Sequence, residues 1–300
     1  MTNYLITVLG PTAIGKTALS IKLAQHFNAE IISCDSRQFY KEMQVGTAVP
    51  NSNELAAVKH HFIQNRSIFD DYSVGQFEKD ALAKLDELFS KNNVVIMVGG
   101  SGLYVNAVID GLDYFPKVDA KIRTTLNKRL LTEGITTLQN QLRELDIESF
   151  NTIEINNPHR LIRALEICIG TGKTYSEFKN KPKVKRNFTA VKIGLTADRE
   201  IMYNRINQRV DIMMREGLLD EATSLYKHKK LNALQTVGYR ELFEYLDGNS
   251  TLEFAVQEIK KNTRRFAKRQ VTWNKKDQDI HWFNFETNFT EIIKSLEHLH

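Results

Sequence analysis

Short apolar runs bounded by turn residues punctuate the first hundred positions: Tyr4-Leu5-Ile6-Thr7-Val8-Leu9, the stretch 29–34 around Ile31-Ile32, and 93–98 around Val94-Val95-Ile96-Met97-Val98. Each has the length and β-branched content of a buried strand. Amphipathic helical patterns over 15–27 and 75–91 separate them. Strands alternating with helices predict an α/β fold, a parallel sheet flanked by helices. Such sheets bind ligands beyond the C-terminal ends of their strands, which singles out 10–17, 35–40 and 99–104. From about 116 to 187 strand-like runs disappear and helical periodicity takes over. A strand-like Ala190-Val191-Lys192-Ile193-Gly194-Leu195 follows, and helical patterns continue to the end. The expected organisation is a core built from 1–115 and 188–300, with 116–187 as an inserted helical domain.

The segment after the first run reads Gly10-Pro11-Thr12-Ala13-Ile14-Gly15-Lys16-Thr17, a phosphate-binding loop between a strand and a helix. Backbone N–H groups and the helix dipole there cradle a phosphate chain, Lys16 adds a point charge, and the Thr17 hydroxyl suits Mg²⁺. The core is therefore expected to be P-loop NTPase-like. After the second run comes Asp35-Ser36-Arg37-Gln38. Asp35 would face the same crevice as a general base or Mg²⁺ ligand, or else cap a helix. After the third comes Gly99-Gly100-Ser101-Gly102-Leu103-Tyr104, suited to close backbone approach or simply to a turn. No Asp ends this strand, which argues against an ATP-hydrolysing motor or switch. Arg205 and Arg209 share one face of a helix over 198–216, where they would clamp a pyrophosphate or be solvated. His60-His61 lacks a third metal ligand at useful spacing and reads as structural or substrate-surface.

Charge adds a second theme. The 300 residues carry a net charge of +5, and eight basic residues with no acidic one lie between 259 and 276. On a helix over 256–271, Lys260, Lys261, Arg264, Arg265, Lys268 and Arg269 fall within one half-turn. Val256, Ile259, Thr263, Phe266, Ala267, Gln270 and Val271 occupy the other. A one-sign face on a buried back predicts a nucleic-acid backbone as partner, and the basic stretch 179–186 would supply a second jaw. Two distant cysteines, Cys34 and Cys168, fit a reducing cytoplasm. The early strand leaves no room for a signal peptide, and no run of ~18 apolar residues predicts a membrane span.

Taken together, these motifs resemble those of the tRNA dimethylallyltransferases (tRNA isopentenyltransferases), in its bacterial form without a C-terminal zinc finger. Besides the loop and Asp35-Ser36, the resemblance rests on Val45-Gly46-Thr47-Ala48, Gly99 to Tyr104, Asn157-Pro158-His159-Arg160-Leu161-Ile162-Arg163-Ala164-Leu165-Glu166, Val237-Gly238-Tyr239-Arg240-Glu241 and Lys268-Arg269-Gln270-Val271-Thr272-Trp273. It implies transfer of a dimethylallyl group from dimethylallyl diphosphate to N6 of the adenosine immediately 3′ of the anticodon, with Mg²⁺. The loop then holds a leaving diphosphate rather than ATP. Asp35 becomes the base for the adenine amine, while Lys16, Thr17 through Mg²⁺, and Arg209 stabilise the diphosphate. The resemblance also implies that Asp35, Ser36, Arg37 and Gln38 meet the tRNA, as do Ser101 (where Thr is more usual) and Arg123. The anticodon stem-loop would be held by His159, Arg160, Leu161, Ile162 and Arg163, by Gln235, Thr236, Val237, Gly238, Tyr239 and Arg240, and by Lys268, Arg269, Gln270, Trp273 and Lys275. Lys275 departs from the family's Trp-Phe-Arg ending. The expected protein is a cytoplasmic monomer whose helical insertion embraces RNA. A nucleotide kinase and a plain RNA-binding module are the rival readings. The geometry demands that Asp35 and Lys16 share one side of the sheet.

Overall fold

A computed structural model describes residues 2–179 and 185–297. The chain divides into two compact units, Met1–Asp110 with Arg186–His300, and Gly111–Lys185. In the first, β1 (Tyr4–Leu9) leads through the loop into α1 (Lys16–His26), and β2 (Ile31–Ser33) is followed by α2 (Ser52–Ala57) and the two-residue β3 (His60–His61). Then come α3 (Val74–Phe89), β4 (Val94–Val98) and α4 (Gly102–Ile109). The second unit contains α5 (Ala120–Glu133), α6 (Ile135–Leu145), α7 (Ile147–Thr152) and α8 (Pro158–Thr171). The chain returns to the first unit at β5 (Thr189–Thr196), followed by α9 (Arg199–Arg215), α10 (Leu218–Leu225), α11 (Tyr239–Leu246), α12 (Leu252–Asn274), β6 (Ile280–Asn284) and α13 (Phe289–Lys294).

All strands run parallel in the order β3-β2-β4-β1-β5-β6. The central strand β1 is covered on both faces, which is why its sequence is continuously apolar. Ile6 and Val8 pack with Leu19, Leu23, Ile96 and Ile193, whereas Leu5 and Leu9 face the opposite way toward Phe39, Phe77, Leu85 and Met97. A separate helical layer buries Met43, Val210, Leu218, Leu234, Tyr239, Leu242 and Ile259.

The last part of the chain differs from expectation. Helical structure does not run to the end, because β6 pairs with β5 in the register Lys192↔Ile280 to Thr196↔Asn284. As an edge strand with polar His281 and exposed Asn284, it lacks the apolar run that marked the inner strands. The return from the insertion also begins earlier than position 188. Arg186 donates from Nε to Val108 O at 2.9 Å and from Nη2 to Ala107 O at 2.8 Å, and pairs with Glu78 at 2.7 Å. It is thus a partly buried brace of the first unit, not part of a basic RNA jaw; most of the stretch 179–186 (180–184) lies outside the described residues.

The inserted unit is held by its own core of Leu126, Leu138, Leu142, Leu161, Ile162, Leu165 and Cys168. The ends of α8 are written in the sequence: Pro158 starts the helix, Asn157 Oδ1 accepts the N–H groups of His159 and Arg160, and Gly172 ends it with φ 69°.

Candidate active site

The phosphate-binding loop needs its glycines for specific reasons. Gly10 has φ 136°, and a Cβ there would lie 2.5 Å from Leu195 O. Gly15 has φ 109° and starts α1. Lys16 Nζ donates to Pro11 O at 2.7 Å, curling back over the loop. Burial is the main reason its pKa falls to about 8; neighbouring Arg209 lowers it further, while Asp35 pulls it up. Both arginines of α9 reach the loop: Arg205 Nε donates to Ala13 O at 2.8 Å, and Arg209 Nη1 to Thr12 Oγ1 at 3.2 Å. Neither is a solvated surface charge. Burial lowers the pKa of Arg209, and the Asp35 carboxylate opposes that effect.

Asp35 lies on the loop's side of the sheet. Its Oδ1 accepts the Arg37 N–H at 3.0 Å, so it closes a local turn and does not cap a helix. Two cavities open on it. The first, about 410 Å³, is lined by the loop from Thr12 to Thr17 with Asp35, Gln38, Arg205 and Arg209. The second, about 420 Å³, is lined by Ser36, Ser101, Val237, Phe266, Arg269 and Trp273 among others. Thr12, Asp35, Thr47 and Arg209 border both.

The glycines after β4 let neighbours approach. A Cβ on Gly99 would lie 2.6 Å from Cys34 Sγ and 2.8 Å from Asp35 N; on Gly100, 2.3 Å from Gln270 Nε2; on Gly102, 2.3 Å from Trp273 Nε1. Ser101 Oγ accepts the Ser36 N–H at 3.2 Å and lies 3.1 Å from Ser36 Oγ, tying the two strand ends together.

Several residues expected on an RNA-facing surface hold the site together instead. Gln270 is buried: its Oε1 accepts the Thr12 N–H and its Nε2 donates to Gly100 O, both at 2.9 Å. Tyr239 is fully buried and donates its hydroxyl to Glu221 Oε1 at 2.6 Å. Leu161 and Ile162 lie in the insertion's apolar core, where the helical period of α8 turns them inward. Arg37 Nη1 donates to Asn232 O and Ala233 O, and Gln38 Nε2 to Thr47 O and Ala48 O. Glu221 was not signalled by any motif. Its carboxylate gathers the N–H groups of Gln44, Val45 and Gly46 at 2.8–2.9 Å and so anchors the loop carrying Thr47. The only hint was indirect: Gly46 and Tyr239, quoted in separate motifs, touch, and a Cβ on Gly46 would sit 2.6 Å from the Tyr239 ring.

The basic helix α12 is less uniform than its wheel suggests. Lys260 pairs with Asp211 at 2.6 Å, Lys261 with Glu258, and Arg264 donates to Asn207 Oδ1 at 2.7 Å. Those contacts come from α9 and from α12's own preceding turn. Exposed cations remain at Arg265, Lys268, Arg269 and Lys275. Phe266 is exposed, not buried, with the Arg269 guanidinium 5.8 Å from its ring. Beside them, Thr236, Val237 and Gly238 line the second cavity, while Gln235 and Arg240 are exposed.

In the inserted unit, Glu166 is buried and joins Arg123 of α5 at 2.5 Å to Arg163 of α8 at 2.6 Å. His159, Arg160, Arg163, Tyr175 and Lys179 line a cavity of about 400 Å³.

Among the described residues, no group of three or more His, Cys, Asp or Glu side chains could hold a metal. Thr17 offers a single hydroxyl in the first cavity. That sparse donor set fits a Mg²⁺ ion that keeps waters and takes most of its ligands from a phosphate chain. No helix among the described residues is long and apolar enough to cross a membrane.

A sequence model described as IPP transferase matches residues 38–277. A tRNA dimethylallyltransferase of Christiangramia forsetii is 61% identical over 297 residues, covering 99% of this chain and 98% of that one. Another, of Flavobacterium psychrophilum, is 59% identical over 298 residues, with 97% of each chain covered. Among solved structures, the full-length tRNA isopentenylpyrophosphate transferase from Bacillus halodurans superimposes with a TM-score of 0.73 at 37% identity, covering 99% of this chain and 95% of that one. A eukaryotic dimethylallyltransferase acting on tRNA gives a TM-score of 0.85 at 26% identity, covering 99% of this chain and 79% of that one.

Proposed function

This chain belongs to the IPP transferase family, that of the tRNA dimethylallyltransferases, and we propose that it joins its two substrates at Asp35, one from each cavity. It is a transferase that moves a prenyl group from a diphosphate to tRNA. The finer reading is that the acceptor is N6 of the adenosine immediately 3′ of the anticodon, and that the protein works as a cytoplasmic monomer. One observation carries the meeting of the two substrates at Asp35: two cavities of similar size share Asp35, Thr12, Thr47 and Arg209 as their common wall.

Dimethylallyl diphosphate occupies the first cavity, its phosphates on the loop N–H groups and Lys16, with Arg209 beside them. Thr17 would hold a Mg²⁺ ion, which would add charge neutralisation at the diphosphate. The adenosine reaches Asp35 through the second cavity, flipped from its loop at a cost of only a few kcal/mol. N6 attacks the allylic carbon, the C–O bond breaks, and its electron pair leaves with the diphosphate. The N6 proton passes to the Asp35 carboxylate, which offsets the poor nucleophilicity of a delocalised amine. Lys16 and Arg209 face the charge that grows on the leaving group, so they favour the transition state over bound substrate. The exposed cations of α12, together with His159, Arg160, Arg163 and Arg123 of the insertion, hold the anticodon arm.

Labelled dimethylallyl diphosphate incubated with bulk tRNA should place label in the RNA. Asp35→Asn should lower the transfer rate by about 10²-fold or more while leaving tRNA affinity near its original value. ATP turnover with no label entering tRNA would overturn the reading in favour of a kinase.

A further inference from the structure

The first cavity contains a polar group that the reaction described above leaves unused. His60 stands in the edge strand β3 and lines the same cavity as Lys16, Thr17 and Asp35. Nδ1 lies 2.8 Å from Val58 O, so Nδ1 carries a hydrogen and donates it. Nε2 is buried and has no hydrogen-bond partner. The charged groups nearby are committed elsewhere. Glu54, which also borders the cavity, accepts the Asn51 N–H at 2.9 Å in a helix-capping pair. His61 is bound to Glu30 at 2.6 Å. Burial holds the His60 pKa below the ordinary histidine value, so the ring enters neutral.

A buried, unpartnered nitrogen at the wall of a ligand cavity calls for a partner from the ligand. The rest of this wall (Lys16, the loop N–H groups, Arg205 and Arg209) selects a phosphate chain. A bare Nε2 and an anionic phosphate oxygen can meet only with a proton between them. We propose that His60 binds the prenyl diphosphate through Nε2 and keeps one proton shared with a phosphate oxygen, so that the diphosphate departs protonated. The balance is complete: the C–O bond breaks, its electron pair goes to the diphosphate, and that diphosphate takes the proton held at Nε2. The N6 proton goes separately to Asp35, from which it returns to solvent, and His60 is reprotonated from solvent. This inference rests on reading the first cavity as the diphosphate site.

The test is calorimetric binding of unreactive dimethylallyl thiolodiphosphate at pH 7, repeated in buffers of different ionisation enthalpy. At that pH Lys16 is mostly charged already and contributes little uptake. The wild type is expected to take up close to one proton per ligand, as linkage requires when a ligand raises a histidine pKa. His60→Asn retains an amide N–H for Val58 O but lacks Nε2; it should lose that uptake and bind about tenfold more weakly, with tRNA affinity unchanged. His60→Gln, which places an amide near Nε2, should recover part of the affinity without the proton, and it serves if the Asn variant folds poorly. Unchanged affinity and uptake in both His60 variants, with binding abolished by Lys16→Met, would sink this inference and leave the diphosphate reading standing. Binding indifferent to Lys16→Met as well would overturn both.

Discussion

Lys16 carries a charge into a site that shields it from water, and its neighbours pull that charge in opposite directions. Because its folded pKa of about 8 lies below the ordinary 10.5, the buried ammonium costs stability at neutral pH. That cost is relieved as pH rises from about 8 toward 10.5, where the unfolded chain still holds the proton. Ligand-free protein should therefore gain stability over this window relative to Lys16→Met, as measured by denaturant unfolding. Affinity for dimethylallyl thiolodiphosphate should move the other way, falling more steeply above about pH 8 as Lys16 sheds its charge. Gly46 offers a second test at this scale. A methyl group there meets the rigid ring of Tyr239 at 2.6 Å, so Gly46→Ala should cost roughly 1–3 kcal/mol of unfolding free energy. A shift in denaturation midpoint too small to measure would contradict the contact.

At the scale of elements, α12 separates cations that hold the fold from cations available to RNA. Arg269→Glu should weaken tRNA binding and reduce its salt slope by about one. Lys260→Glu should instead lower stability by losing Asp211, and leave the salt slope as it was. A helical wheel cannot make this distinction, since it knows nothing of Asp211 and Asn207 on a neighbouring helix. The same limit explains what else the sequence concealed. The inner strands and the phosphate loop were legible because full burial demands continuous apolar residues and a phosphate demands glycine and lysine at set spacing. The edge strands β3 and β6 were not, because half-exposed pairing tolerates His60, His61 and His281. Glu221 was invisible because its work is done on N–H groups, which every residue carries. Tyr239 and Gln270 stood out as motif residues, yet their side chains brace the site from within.

For the whole molecule, the inserted unit should be separable. Arg186 binds the carbonyls of Ala107 and Val108, so the two points where the chain leaves and re-enters the first unit are already clamped together. Replacing 111–185 with a short Gly/Ser linker should leave a cooperatively unfolding protein that binds dimethylallyl thiolodiphosphate and has lost most of its affinity for tRNA. Loss of diphosphate binding in this variant would show that the first unit does not build its site unaided.

Gln270 has one consequence at the largest scale. It hangs from the helix whose outer face bears Arg269 and Trp273, and it grips Thr12 of the phosphate loop and Gly100 beyond β4. Any displacement of that helix by an RNA is thereby felt where the small substrate is held, and free-energy linkage makes the effect reciprocal. Bound tRNA should change the affinity for the prenyl diphosphate analogue by the same factor by which the analogue changes the affinity for tRNA. In Gln270→Ala both factors should fall toward one. The two substrates would then bind as strangers, each without news of the other.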